Sequence, residues 1–396
     1  MRAARGAPAA ALVRGAAQAA GRLRGAAEAA EASATRMLAW RVHGYGGPAE
    51  LRLEEARVPP LRAPDEVLVR VRAASINPLD VAMLGGYGAR LLNAARALEG
   101  AEGEEFPLVP GRDFVGDVCR AGPAAAARAL LGRRVWGALP PYRPGAHQQY
   151  ALARAAWVCE APDALSDAEA GGVPYAALSA CAALRAAGVP RRVQGEGPRV
   201  LLLGLGGVGH AALQLLVLRG AQVVVGCSGE LCERATALGA MAAFDRHSPE
   251  YSRLLEESGP YRAVVDCAGL GGEAAAGAAA RAWRFARYVT LSPPLLREAD
   301  ARGAVGGLAA AAGALLQQSA AAALARPAEL PPPHVRWAFF APGRDDLLEL
   351  RRLADAGQFA VVVERVFPWR AARAAYERAA GGHARGKLLL DFTAPE

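Results

Sequence analysis

At 396 residues the chain is longer than one domain usually needs, so two domains are expected. The formal net charge of +8 suggests nucleic acid, but Lys387 is the only lysine and the arginines are spread among abundant Ala, Gly and Pro. That pattern marks a coding bias rather than a basic face, and no nucleic-acid partner is expected. Arg, Gly or Pro interrupts every long apolar run, and the Ala-rich stretch 303–325 is poor in Leu, Ile and Phe, so no transmembrane segment is expected. The six cysteines form no C-x-x-C pair and read as buried free thiols in a reducing compartment.

Residues 1–36 carry Arg2, Arg5, Arg14, Arg22 and Arg24 among alanines, and the first acid is Glu28. An Arg-rich, acid-poor segment without a continuous apolar stretch is the pattern of a mitochondrial presequence. Folded sequence is expected to begin between Met37 and Trp40. From there to residue 163 the signals are short and β-like: Val67–Ala73, Phe114–Val118, Arg134–Ala138 and Gln149–Ala153, closely punctuated by Gly and Pro. From 164 to 342 the texture changes. Ser166 caps a helix, and apolar strands (Arg199–Leu203, Gln222–Gly226, Ala263–Asp266, Tyr288–Leu291, Val335–Phe340) alternate with helical stretches (Gly209–Arg219, Glu230–Leu238). This alternation predicts an α/β fold with a doubly wound parallel sheet covered on both faces. Residues 343–396 give a connecting helix, Asp345–Ala356, and two further strands, Ala360–Val366 and Leu388–Phe392. The β-rich domain is therefore expected to receive both ends of the chain.

The most specific motif is Gly204-Leu205-Gly206-Gly207-Val208-Gly209, after a strand and at the start of a helix. Gly204 permits the tight turn, Gly206 lets backbone approach a pyrophosphate, and Gly209 lets helix and strand pack closely. The helix N-terminus then offers free N–H groups and a partial positive charge to the phosphates. The second strand ends at Gly226-Cys227-Ser228-Gly229 with no acid at its tip, where an acid would favour NADH. A serine hydroxyl there can donate to a 2′-phosphate, and Arg234 and Arg246 are the candidate cations, so NADPH is the expected cofactor. Glu230 remains within reach of the ribose as the alternative.

Asn77-Pro78-Leu79-Asp80, Gly111-Arg112-Asp113-Phe114-Val115-Gly116, the glycine loop and Gly382-His383-Ala384-Arg385-Gly386-Lys387 together resemble the quinone-oxidoreductase branch of the medium-chain dehydrogenase/reductase family. Gly86-Tyr87-Gly88, Gly103–Leu108 and Arg336–Phe340 narrow the resemblance to its mitochondrial members. The resemblance implies a Rossmann domain with a GroES-like β-rich catalytic domain built from both chain ends. It further implies an NADPH-dependent reductase of quinones or related conjugated carbonyls, linked to ubiquinone biosynthesis. It places the chain in mitochondria (matrix, or associated with the outer membrane), with a reticulon-family protein as partner; a homodimer is left open. Asn77 and Tyr87 are then the catalytic candidates, as donors to the acceptor oxygen. Ser179, Val208, Ser228, Arg246, Cys267, Leu291, Phe339, Phe340, His383, Ala384 and Arg385 join Gly204, Gly206, Gly207 and Gly209 around the cofactor.

Two departures stand out: the glycine loop is shorter than in those relatives, and Ser179 stands where they carry threonine. In the zinc-dependent relatives the ligand segment Gly-His-Glu corresponds to Gly111-Arg112-Asp113, and the first cysteine ligand falls near Ile76-Asn77. Arg112 cannot ligate a cation and no thiol is nearby, so no metal is expected. Asp80 reads as a residue that orients its loop, and Lys387 as a surface residue. The rival function is a cofactor-binding adaptor for reticulon-type proteins with little or no turnover.

Overall fold

The computed structural model describes residues 35–99, 105–192, 195–326, 333–382 and 384–394. The expected presequence lies outside them except for Thr35 and Arg36. Arg36 already opens strand β1 (Arg36–Arg41), which forms an antiparallel pair with β2 (Arg52–Arg57).

The six-stranded sheet has the order β10-β9-β8-β11-β12-β13, and every pairing is parallel. Its strands are β8 (Arg199–Leu203), β9 (Gln222–Cys227), β10 (Ala242–Asp245), β11 (Ala263–Asp266), β12 (Arg287–Thr290) and β13 (His334–Trp337). The central strands read as apolar runs because helices cover both faces: four of the five β8 residues and all four of β11 are buried. This is the doubly wound sheet expected from the alternation. One expected strand is shorter than its apolar run: β13 ends at Trp337, so Phe339 and Phe340 lie in the following loop.

The second sheet runs β14-β15-β3-β4-β5-β7, with β6 also paired to β3. Its strands are β3 (Glu66–Ile76), β4 (Asp113–Ala121), β5 (Arg134–Ala138), β6 (Tyr150–Arg154), β7 (Val158–Glu160), β14 (Val363–Pro368) and β15 (Lys387–Asp391). β15 lies antiparallel beside β3, pairing Leu388 with Ile76 and Asp391 with Ala73. The last strand therefore completes a sheet begun by the first half of the chain.

One core joins the two sheets. Ala73, Val115 and Trp136 of the second sheet pack with helix Pro174–Ala187, and that helix packs on Val200, Leu202 and Val265 of the first. The cleft between the sheets is held at this seam.

Several elements carried no clear sequence signal: helices Pro78–Leu84 and Ala89–Leu98, and the long helix Leu295–Ala325. The long helix is broken at Gly303 (φ 77°, ψ 168°), a conformation only glycine takes freely. It is long and apolar enough to cross a membrane, with mean hydropathy 1.4 over eighteen residues of which 17% are buried. One side packs on helices Ala274–Ala280 and Ala89–Leu98 and on β13.

Candidate active site

Most segments expected to hold the cofactor emerge from the carboxyl ends of the parallel strands, the edge where such sheets bind ligands. Gly204 follows β8, Ser228 follows β9, Cys267 follows β11, Leu291 follows β12, and Phe339 and Phe340 come after β13.

The glycines of the loop after β8 differ in what they do. Gly204 has φ 88°, and a Cβ there would lie 2.9 Å from the Ala268 backbone. A Cβ on Gly209 would lie 2.1 Å from the Gly204 carbonyl oxygen. Gly206, the residue before helix Gly207–Leu218, is exposed, and a Cβ there would meet nothing within 4 Å. Packing therefore demands Gly204 and Gly209, whereas Gly206 keeps open a surface at the positive end of a helix. That surface fits a diphosphate. Val208 packs back against the core.

At the end of β9, Ser228 is half-buried and its hydroxyl caps no helix. Arg246 is exposed; its backbone N–H donates to the Cys227 carbonyl (2.8 Å), and its side chain reaches His247. It borders a cavity of about 210 Å³ together with Gly204, Gly226 and Tyr251. Glu230, the acid that left NADH open, pairs with Arg385 at 2.7 Å. That contact ties the returning C-terminal segment to the cofactor loop. Arg234 lies exposed on helix Cys232–Ala237. Ala384 is exposed, and His383 lies outside the described residues.

Asp266, at the end of β11, had no signal in the sequence. Its carboxylate accepts from the backbone N–H groups of Ala268, Leu270 and Gly271 and from the Thr290 hydroxyl (2.9 Å). It thereby shapes the turn that carries Cys267, whose thiol is pushed up by burial and by Asp266. Ser179 spends its hydroxyl on the Tyr175 carbonyl within its own helix (2.8 Å). Phe340 packs on Tyr175 with ring centres 4.5 Å apart, Leu291 is half-buried against the core, and Phe339 is 45% exposed.

Across the cleft lies a buried polar cluster. Asn77 precedes helix Pro78–Leu84; its backbone N–H donates to Asp80, and Asp80 also accepts from Gly111 N–H and Arg112 Nε. Asp80 is thus the loop-orienting residue expected. Arg112 is fully buried and donates also to the carbonyls of Val109, Pro140 and Arg143. The Asn77 amide donates to Asp113 (2.9 Å) and to Ser75 (3.2 Å), and the Ser75 hydroxyl donates to Asp113. Asp113 accepts as well from the Tyr175 backbone N–H (2.9 Å). Both amide hydrogens of Asn77 are therefore spent inside the protein, which makes it a residue that fixes the site rather than a free donor.

The largest correction concerns Lys387, which is not a surface residue. It is only 6% exposed, and its ammonium donates to Asn77 Oδ1 at 2.5 Å and lies 4.0 Å from Asp113. Two buried acids (Asp80, Asp113) thus face two buried bases (Arg112, Lys387), the balance a low-dielectric site requires. His147, fully buried, contacts the Ser75 carbonyl and the Tyr376 hydroxyl; burial pushes its pKa down and holds it neutral. Tyr87 stands at the rim, half-buried, and its phenol is pushed up by burial, with Arg297 and Asp300 as smaller, opposing influences.

Among the described residues no group of three or more His, Cys, Asp or Glu side chains is placed to hold a metal ion.

The chain is similar to known proteins over most of its length. A family profile described as an alcohol dehydrogenase GroES-like domain matches residues 63–163, and one described as a zinc-binding dehydrogenase matches residues 238–390. The chain is 35% identical over 374 residues to the mitochondrial NAD(P)H oxidoreductase RTN4IP1 of Drosophila melanogaster, spanning 90% of this chain and 87% of that protein. It is 31% identical over 363 residues to the mitochondrial reticulon-4-interacting protein 1 of Caenorhabditis elegans, spanning 90% and 95%. The quinone oxidoreductase from Coxiella burnetii shares the fold with a TM-score of 0.70 at 24% identity, over 90% of this chain and 99% of that one.

Proposed function

The chain belongs to the medium-chain dehydrogenase/reductase family, among the NAD(P)H oxidoreductases of the RTN4IP1 type, and we propose that it is a zinc-independent NADPH-dependent reductase of quinones or related conjugated carbonyls. The observation that carries this reading is the pairing of two half-sites. An open glycine loop at a helix N-terminus stands at the carboxyl edge of the parallel sheet, and a charge-balanced buried cluster stands across the cleft.

When bound, the nicotinamide supplies the hydride. The protein's own part is to hold and orient. The Gly206-Gly207 backbone takes the diphosphate. Ser228 and Arg246 take the 2′-phosphate, with Glu230 already engaged by Arg385. The Asp266-held turn and Leu291 form the wall at the nicotinamide end, and Phe340 closes it against Tyr175. Tyr87 donates to the acceptor oxygen, while Asn77 fixes the floor beneath it. Residues 37–163 with 343–396 serve as the catalytic half and 164–342 as the cofactor half.

The zinc-free part of the reading rests on Arg112. A buried guanidinium in the ligand segment, saturated by Asp80 and three carbonyls, repels a divalent cation where the zinc-dependent relatives hold one. Work in mitochondria is proposed from the Arg-rich residues 1–36 and from the mitochondrial relatives, and a link to ubiquinone synthesis from the resemblance to the quinone-oxidoreductase branch alone. A reticulon-type partner is proposed from the relative that bears that name.

The test is NADPH oxidation followed by absorbance with and without a soluble quinone, with NADH in parallel. Quinone-dependent oxidation that is much slower with NADH supports the reading. Tight NADPH binding without turnover on quinones or enones points instead to the adaptor role.

A further inference from the structure

Reduction of a quinone or conjugated carbonyl by one hydride also consumes one proton. The groups around the cleft are poor sources of it. Asp80 and Asp113 each accept at least three hydrogen bonds, so their oxygens are committed as acceptors. Ser75 and Asn77 donate inward, and His147 and Tyr376 bond each other. Among the described groups of the buried cluster Lys387 is the exception, while Tyr87 at the rim, its phenol pushed up by burial, donates a hydrogen bond and keeps its proton.

We propose that Lys387 delivers the proton to the acceptor oxygen and is recharged from a water position that it shares with His210. The proposal rests on the reductase reading above. Three observations support it. Asn77 Oδ1 takes one ammonium hydrogen at 2.5 Å, and Asp113 at 4.0 Å is too far to take another, so Lys387 keeps donors to spend. Its stem runs between Gly207 and Gly172, each close enough that a Cβ there would sit in van der Waals contact with it at 3.5 Å. That path runs the stem past the nucleotide loop and leaves the amine against Asn77. A cavity of about 20 Å³, the size of one water, is bordered by Gly172, Ala176, Gly207, His210, Phe359 and Lys387. His210 is 8% exposed, its Nδ1 contacts the Gly206 carbonyl, and its Nε2 is buried without a partner. A water there accepts from Lys387 and donates to His210 Nε2.

The step balances. The acceptor oxygen forms an O–H bond as one Nζ–H bond of Lys387 breaks, leaving a neutral amine. The amine then regains a proton from solvent through the water. The surroundings favour an amine that gives its proton up. Burial pushes Lys387 below the ordinary lysine range, against the opposing charges of Asp113 on β4 and Asp80 on helix Pro78–Leu84. His210 is held neutral by burial, and Glu364 on β14 is committed to Arg378 and to the Arg385 backbone. The phenols of Tyr87 and Tyr175 are pushed the other way, up.

A single lysine makes the test direct. Lysine labelled with nitrogen-15 at Nζ gives one side-chain signal, titrated in the NADP⁺ complex. The amine is expected to titrate below the ordinary lysine value of about 10.4, and the alkaline limb of kcat is expected to fall at the same pH. Lys387→Arg keeps the charge but cannot act as an acid. It is expected to lower kcat about 100-fold or more while leaving NADPH affinity within about threefold. Added ethylamine should restore turnover to Lys387→Ala. A lysine signal that titrates at the ordinary value, or an Arg variant with wild-type kcat and the same alkaline limb, overturns the proposal. Wild-type protein that oxidises no NADPH with any quinone or enone defeats the reductase reading itself, and the lysine's role falls with it.

Discussion

Asn77 sits between Lys387, which can only donate, and Asp113, which accepts, so the orientation of its amide follows from chemistry alone. Asn77→Asp sets a carboxylate against Asp113, and Asn77→Ala leaves Asp113 and Lys387 each short of a buried partner. Each variant is expected to lose about 1–3 kcal/mol of stability in urea unfolding. The same reasoning governs the cofactor choice at Ser228. Ser228→Asp puts a charge where the 2′-phosphate is expected, and NADPH affinity should fall about tenfold or more while NADH affinity holds or improves. Fluorescence titration of both cofactors decides it; equal losses for both contradict the assignment. Residue-level legibility is uneven. The candidates Gly204, Gly206 and Gly209 are readable because each has a distinct steric role inside one contiguous motif. Lys387 is not, because a charge defaults to the surface, and only the pairing of β15 with β3, more than 300 residues away, carries it inward. Asp266 is hidden because its four partners lie in a turn and a neighbouring strand.

Elements divide in the same way. Strands β8 and β11 are legible as short apolar runs bounded by Gly or polar residues, since burial on both faces leaves no alternation to blur. The helix Leu295–Ala325 is not legible, because a run of Ala and Gly presents no apolar stripe. It nevertheless supports the cleft. The carboxylate of Asp300 accepts from the Gly88 (2.6 Å) and Arg90 (3.0 Å) N–H groups and so caps helix Ala89–Leu98 close to Tyr87. Asp300→Ala is expected to cost about 1 kcal/mol, the usual value of a lost cap. The glycine loop allows a sharper contrast. Gly209→Ala drives a Cβ into the Gly204 carbonyl and should cost about 2–3 kcal/mol or more. Gly206→Ala meets open space, so stability should stay within about 1 kcal/mol while NADPH affinity falls. Thermal unfolding of the two variants with and without NADPH separates a glycine kept for packing from one kept for the ligand.

For the whole molecule, both chain ends build one sheet, the middle builds the other, and helix Pro174–Ala187 is packed into both. The cofactor edge and the buried cluster therefore face one cleft without a long loop to position either. The two-layer plan is legible from the change of texture near residue 164; the seam is not, because it depends on which apolar faces meet. NADPH binding should stabilise the fold by about 2.7 kcal/mol at 100 times its dissociation constant, with NADH giving less at the same concentration. The most direct single measurement remains the absorbance of NADPH in the presence of the protein from Met37 onward and a soluble quinone. Oxidation that requires quinone and is much slower with NADH is the expected result. Binding of NADPH with no oxidation across quinones and enones would contradict it and leave the cleft as a cofactor-loaded binding site.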